Sequence, residues 1–167
     1  VEVRRGEKVY KQLYHRGKPI GPCKEVGVTS KRGTRTTFKP DAEIFEVTEF
    51  NSDVLMTRLR ELAFLNNGLK ISLADDRQDP RRAYEFHYAG GLAQFVEFLN
   101  SSRQRLHEKV VHFTAEKDNI VAEIALQWND SYSETVYSYV NNINTIEGGT
   151  HVSGFKTALT RVINKYG

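Results

Sequence analysis

The sequence predicts an α+β fold in two pieces, and three observations predict it. Leu55, Leu59, Leu62 and Leu65 recur at helical spacing, and Leu69, Ile71 and Leu73 then alternate with Lys70 and Ser72 in the rhythm of a strand. Gly90-Gly91 punctuates the chain. After it come further strand patterns and a last helix with one apolar stripe.

Residues 1–5 and 8–15 read as two strands joined at Gly6-Glu7, residues 17–27 as a Gly/Pro-rich loop without period, and residues 34–38 as a third strand. Asn51 or Ser52 can cap the leucine helix, and Asn67-Gly68 is its stop; the leucine stripe is expected in the core. Tyr84, Phe86 and Tyr88 alternate with Glu85 and His87, so this segment and residues 69–73 read as a hairpin whose aromatics pack inward. A short helix carrying Leu92, Phe95, Val96 and Leu99 follows the two glycines. Three strands are expected over residues 110–114, 120–128 and 134–143, the second with Ile120, Ala122, Ile124, Leu126 and Trp128 on one apolar face. Lys117-Asp118-Asn119 suits a hairpin turn. The last helix opens near Thr150, with Val152, Phe155, Leu159, Val162, Ile163 and Tyr166 on one side and Gly167 directly after it.

At 167 residues the chain has room for one or two small domains, and its composition is that of an ordinary globular protein. A start at Val1 and an end at Gly167 read as cuts in a longer polypeptide. One cysteine, Cys23, excludes an internal disulfide and fits a reducing compartment. No apolar run approaches the roughly 20 residues that span a bilayer, and no signal peptide opens the chain, so a cytoplasmic location and no membrane partner are expected.

A net charge of +3 is too small to define a nucleic-acid binder. The basic clusters of Arg4, Arg5, Lys8 and Lys11, of Lys31, Arg32 and Arg35, and of Arg77, Arg81 and Arg82 read as solvated turns between strands. Cys23 has no cysteine partner and the five histidines show no ligand spacing, so no metal site is expected. Walker A, Gly-x-Ser-x-Gly and Gly-x-Gly-x-x-Gly patterns are missing, and no catalytic residue is assigned. Gly148-Gly149-Thr150-His151 has the form of an anion-binding helix start, although a glycine turn with a threonine cap, plus a local hydrogen bond from His151, accounts for the same residues.

Several stretches together are similar to the B subunit of DNA gyrase: Leu126-Gln-Trp-Asn-Asp130, Tyr139-Val-Asn-Asn-Ile143, Ile146-Glu-Gly-Gly-Thr-His151, Gly33-Thr34 ahead of Phe38 and Pro40, Arg58-Leu-Arg-Glu-Leu-Ala-Phe-Leu-Asn66, and Phe86-His-Tyr-Ala-Gly-Gly-Leu92. The topoisomerase IV B subunit shares the Gly-Gly-Thr-His helix start but is less similar around Arg60-Glu-Leu62 and Leu126-Gln-Trp128. The resemblance implies that residues 1–89 are the C-terminal portion of a GHKL-type ATPase domain and residues 90–167 the first half of a ribosomal protein S5 domain 2-like transducer. It also implies ATP and Mg²⁺ as cofactors of the complete subunit, with none held stably by this stretch alone. The implied partners are the rest of the B subunit, the gyrase A subunit in an A₂B₂ assembly, and duplex DNA; the implied location is the bacterial cytoplasm, at the nucleoid.

Three positions carry roles by this resemblance. Thr34 matches a threonine whose hydroxyl helps to hold adenine, partly through water, and Thr36, two residues on in the expected strand, would line the same pocket. Lys156 follows Gly-Phe where the family has an arginine lining the cavity for the transported DNA segment; lysine keeps the attraction to phosphate and loses the bidentate fork. The family's catalytic Glu, Mg²⁺-binding Asn, adenine-reading Asp and glycine-rich lid would precede Val1, and its γ-phosphate lysine would follow Gly167, so this stretch alone is not expected to hydrolyse ATP. A reading of a different class remains open, a nucleic-acid-binding module using Tyr137 and Tyr139 as stacking platforms.

Overall fold

The computed structural model describes residues 1–77 and 79–166, and the chain divides into two compact units, Val1–Phe50 and Asn51–Gly167. Gly167, expected just past the last helix, lies outside the described residues.

The first unit contains β1 (Glu2–Arg5), β2 (Lys8–Lys11), β3 (Tyr14–His15), β4 (Lys18–Pro19), β5 (Lys24–Val28) and β6 (Gly33–Arg35). Four of them form an antiparallel sheet in the order β5-β2-β1-β6, while β3 and β4 pair separately. Gly6 and Glu7 both have positive φ, 58° and 62°, the backbone of the two-residue turn whose twist matches antiparallel strands. The expected strand over residues 8–15 is split, because β1 begins at Glu2 opposite Lys11 and offers β2 no longer ladder. For the same reason β6 stops at Arg35, opposite Glu2, and does not run to Phe38. The expected loop over residues 17–27 instead contains β4 and most of β5, which pairs along β2. Every residue of β5 is exposed, so no alternation marks it in the sequence.

The second unit contains α1 (Ser52–Leu65), β7 (Lys70–Asp75), β8 (Arg82–His87), α2 (Gly91–Leu99), β9 (Val111–Lys117), β10 (Ile120–Leu126), β11 (Tyr139–Val140), β12 (Ile143–Asn144) and α3 (Thr150–Tyr166). Asn51 caps α1 as expected, its side-chain oxygen accepting from the backbone N–H of Asp53 and Val54 at 2.9 and 3.1 Å. The β7–β8 hairpin has the expected alternation, with Phe86 buried and Tyr84 and Tyr88 half-buried.

Packing corrects the expected core. The leucine stripe of α1 is only half-buried, whereas Ala63 and Phe64 are 0% and 1% exposed. Phe64 lies off that stripe and stacks on Tyr88 at 3.6 Å and on Phe95 of α2 at 5.0 Å between ring centres. Helix α1 is therefore covered on more than one side, by β7–β8 and by α2, which an amphipathic reading of one stripe does not anticipate. The Arg60 guanidinium lies 5.0 Å from the Phe98 ring centre and 5.6 Å from that of Phe86, adding cation–π attraction at the rim.

Helix α2 also packs on β10 and β9. These two strands turn at Asp118-Asn119, both at positive φ, as the sequence predicts. Their shared face carries Val111, Phe113, Ile120 and Ile124, and Ile120 is 71% exposed. The expected third strand over residues 134–143 is not formed. A short hairpin of β11 and β12 stands in its place, because Asn141 and Asn142 take φ of 49° and 64° and reverse the chain. Helix α3 has the expected stripe with Val152, Phe155 and Leu159 half-buried, but Val162, Ile163 and Tyr166 are exposed.

Candidate functional site

Thr34 lies in the edge strand β6, opposite Val3, and its side chain is exposed. Gly33 before it has φ of 141°, where an L side chain is strained, so the glycine of the Gly-Thr pair has a backbone reason. Thr36 is exposed too, one residue past the end of the ladder, so the strand alternation expected to put it beside Thr34 does not reach it. Among the described residues neither hydroxyl has a protein partner.

Lys156, in the other unit, sits on the polar side of α3 beside Thr157 and Thr160, off the stripe of Val152, Phe155 and Leu159 as expected. Its ammonium donates to the Glu134 carboxylate, a partner 22 residues earlier that helical periodicity cannot reveal. Both side chains remain well solvated, at 47% and 65% exposure.

The glycine turn before α3 behaves as a local structural device. Gly148 and Gly149 take φ of 77° and 150°, and a Cβ on Gly149 would come within 2.9 Å of the His151 ring. His151 Nε2 meets Thr145 Oγ1 at 3.3 Å, the expected local hydrogen bond. The cap differs from expectation, because the Gly149 carbonyl accepts the Ser153 backbone N–H at 3.1 Å and Thr150 is already inside the helix.

Two polar networks have no counterpart in the sequence pattern. Asn100, buried at the end of α2, donates to Gln127 at 2.9 Å and accepts from Asn129 at 2.8 Å. His107 Nε2 accepts the Trp128 backbone N–H at 3.0 Å while its Nδ1 lies 2.7 Å from the Lys109 carbonyl, so Nδ1 carries the proton. The Gln127-Trp128-Asn129 stretch thus ends β10 by fastening the loop after α2, which explains why β10 stops at Leu126 and not at residue 128.

The second network surrounds Asp75, which is 7% exposed. Arg77 grips its two carboxylate oxygens at 2.8 and 2.6 Å, and the Ser52 hydroxyl donates to it from the start of α1. The Arg77 side chain first, then the Ser52 hydroxyl and the Arg77 backbone N–H, hold this carboxyl well below the usual carboxylate range. A buried acid in a polar network is a common sign of catalysis. Here the partners join a helix start to a hairpin end, and the carboxylate charge is matched by the guanidinium.

Among the described residues no group of three or more His, Cys, Asp or Glu side chains is arranged to hold a metal ion, and no helix is long and apolar enough to cross a membrane.

Comparison with known proteins gives these sites a context. The family model described as DNA gyrase B matches residues 91–167. The DNA gyrase B subunit of Halalkalibacterium halodurans is 53% identical over 167 residues, covering 99% of this chain and 26% of that protein. Its counterpart in Myxococcus xanthus is 51% identical over 166 residues, covering 99% of this chain and 20% of its own length. The chain therefore spans about a fifth to a quarter of these two relatives. In three dimensions it is similar to the 43K ATPase domain of Thermus thermophilus gyrase B, solved in complex with an aminocoumarin, with a TM-score of 0.83, 34% identity, and coverage of 99% of this chain and 45% of that one. Its mixed α/β architecture is that of gyrase B ATPase-region structures, and the chain belongs to the DNA gyrase B family.

Proposed function

We propose that this chain is a coupling segment of an ATP-operated gate in a type II DNA topoisomerase, linking nucleotide binding and hydrolysis to DNA strand passage and supercoiling. The observation that carries the reading is the likeness, across 99% of the chain, to a structure named for its ATPase domain. In this reading residues 1–89 close one side of an ATPase domain and residues 90–167 open the transducer. Thr34, solvent-facing on an edge strand, offers its hydroxyl to adenine, and Thr36 lines the pocket nearby. Lys156 faces the DNA cavity, where exchange of Glu134 for a phosphate keeps its charge paired. The chain's own residues bind and orient; Mg²⁺ and ATP act at the complete subunit, which works with the A subunit and duplex DNA in the bacterial cytoplasm.

The test is ATP turnover by a complete B subunit carrying this segment, measured alone, with the A subunit, and with the A subunit plus duplex DNA. Turnover that rises when DNA is added to the assembly supports the reading, and turnover indifferent to DNA refutes it. The 167-residue chain by itself should show no turnover that follows it through purification.

A further inference from the structure

The turn at Asn141-Asn142 is held from one side by α1. Arg58 divides its fork, one nitrogen on the Glu61 carboxylate at 2.7 Å and the other on the Asn142 carbonyl oxygen at 3.0 Å. The Asn142 amide donates in turn to Asn66 Oδ1 at 2.9 Å, and Asn66 is itself oriented by donating to the Leu62 carbonyl at 2.8 Å. Both turn asparagines have positive φ, so the turn presents its carbonyl and its amide to the helix together. The Tyr139 hydroxyl is buried beside Glu61 and Arg58 of α1, and the hydrogen bonds to the turn itself come from Arg58 and Asn66.

On its other side the hairpin leads to α3. The Thr145 backbone N–H donates to the Ser138 carbonyl at 2.8 Å, the two side-chain hydroxyls lie 2.6 Å apart, and Thr145 Oγ1 meets His151 in the first turn of α3. No Cα of helix α3 comes within 8 Å of a Cα in another helix or strand among the described residues. This hairpin is thus its hydrogen-bonded tie to the unit, joined by the bond from Lys156 to the loop residue Glu134.

We infer that Arg58, Asn66 and Asn142 form a clasp that positions α3, and hence Lys156, relative to α1. These are positioning residues that touch neither nucleotide nor DNA. The inference rests on the proposed function, since Lys156 matters only if α3 faces DNA. A shift of α1 changes the register of a divided guanidinium and two amides at once, which gives the tie a discrete geometry and not a soft one.

Two variants of the complete B subunit, each assembled with the A subunit, test the clasp. Asn142→Gly tolerates the positive φ and deletes the amide that reaches Asn66; Arg58→Lys keeps the charge and loses the fork. Turnover without DNA, the KM for ATP and the melting temperature should stay close to the parent values. Stimulation of turnover by DNA should fall about two- to tenfold, the range that one hydrogen bond supplies. Stimulation equal to the parent's in both variants overturns the clasp, as does a loss of DNA-free turnover and melting temperature in parallel with it, which would make these residues simple supports. A parent enzyme without any stimulation by DNA fails the functional reading itself, a separate result read before the variants are compared.

Discussion

Lys156 and Glu134 give a prediction with two opposite arms. Their ion pair is exposed at 47% and 65%, so breaking it should cost less than about 1 kcal/mol of stability. Lys156→Gln in a complete subunit should therefore melt like the parent, since the half-buried stripe at Val152, Phe155 and Leu159 is untouched. If the ammonium meets one phosphate, its loss should lower the slope of log affinity against log salt by about 0.9, which makes the variant's defect about 3.5-fold larger at 50 mM than at 200 mM salt. Glu134→Gln should act the other way, because removing a carboxylate frees the ammonium and relieves repulsion of the duplex. The assay is equilibrium DNA binding by the assembled enzyme over a salt series. Unchanged slopes in both variants, or weaker binding by Glu134→Gln, would refute the assignment of Lys156 to a DNA-facing surface.

Thr34→Ala in a complete subunit should weaken nucleotide binding by about 0.5–2 kcal/mol without lowering the melting temperature, since the hydroxyl has no protein partner among the described residues; calorimetry showing unchanged affinity would make Thr34 a plain strand residue. Phe64→Ala should cost about 3–5 kcal/mol in urea unfolding, because the ring is 1% exposed and stacked on Tyr88 and Phe95, and a loss below about 1 kcal/mol would mean that the cluster collapses around the gap. Asp75 has a lowered pKa, so its stabilisation is fully present above its unfolded value of about 3.9 and is lost as pH falls through the lower folded value. Melting temperature should thus drop from about pH 4 downward in the parent, and Asp75→Asn should start less stable and lack that part of the acid sensitivity.

What the sequence shows by itself is local. Asn51 as a cap, Gly6-Glu7 and Asp118-Asn119 as turns, and the alternation over residues 69–73 and 84–88 each follow from a few adjacent residues, and each is found. Asn141-Asn142 carries the same kind of signal, since paired asparagines tolerate the left-handed backbone of a two-residue turn, yet the β-forming residues on either side make the segment read as one long strand. Other features depend on partners distant in the chain. Strand β5 is exposed and has no apolar period, Phe64 is central because α2 folds back on it, and the partners of Lys156 and Arg58 lie 22 and 84 residues away. The Thr34, Thr36 and Lys156 roles come from resemblance alone, because an exposed threonine on an edge strand and an exposed lysine on a helix have no local pattern that separates function from solvation.

The most direct measurement is the topology of a relaxed plasmid incubated with the complete B subunit, the A subunit and Mg-ATP. The expected result is supercoiling that requires both subunits and ATP, and that Lys156→Gln slows more than it slows turnover without DNA. Decatenation without supercoiling would move the chain to the topoisomerase IV reading, and a plasmid left unchanged, or changed equally without ATP, would contradict the coupling of nucleotide to strand passage.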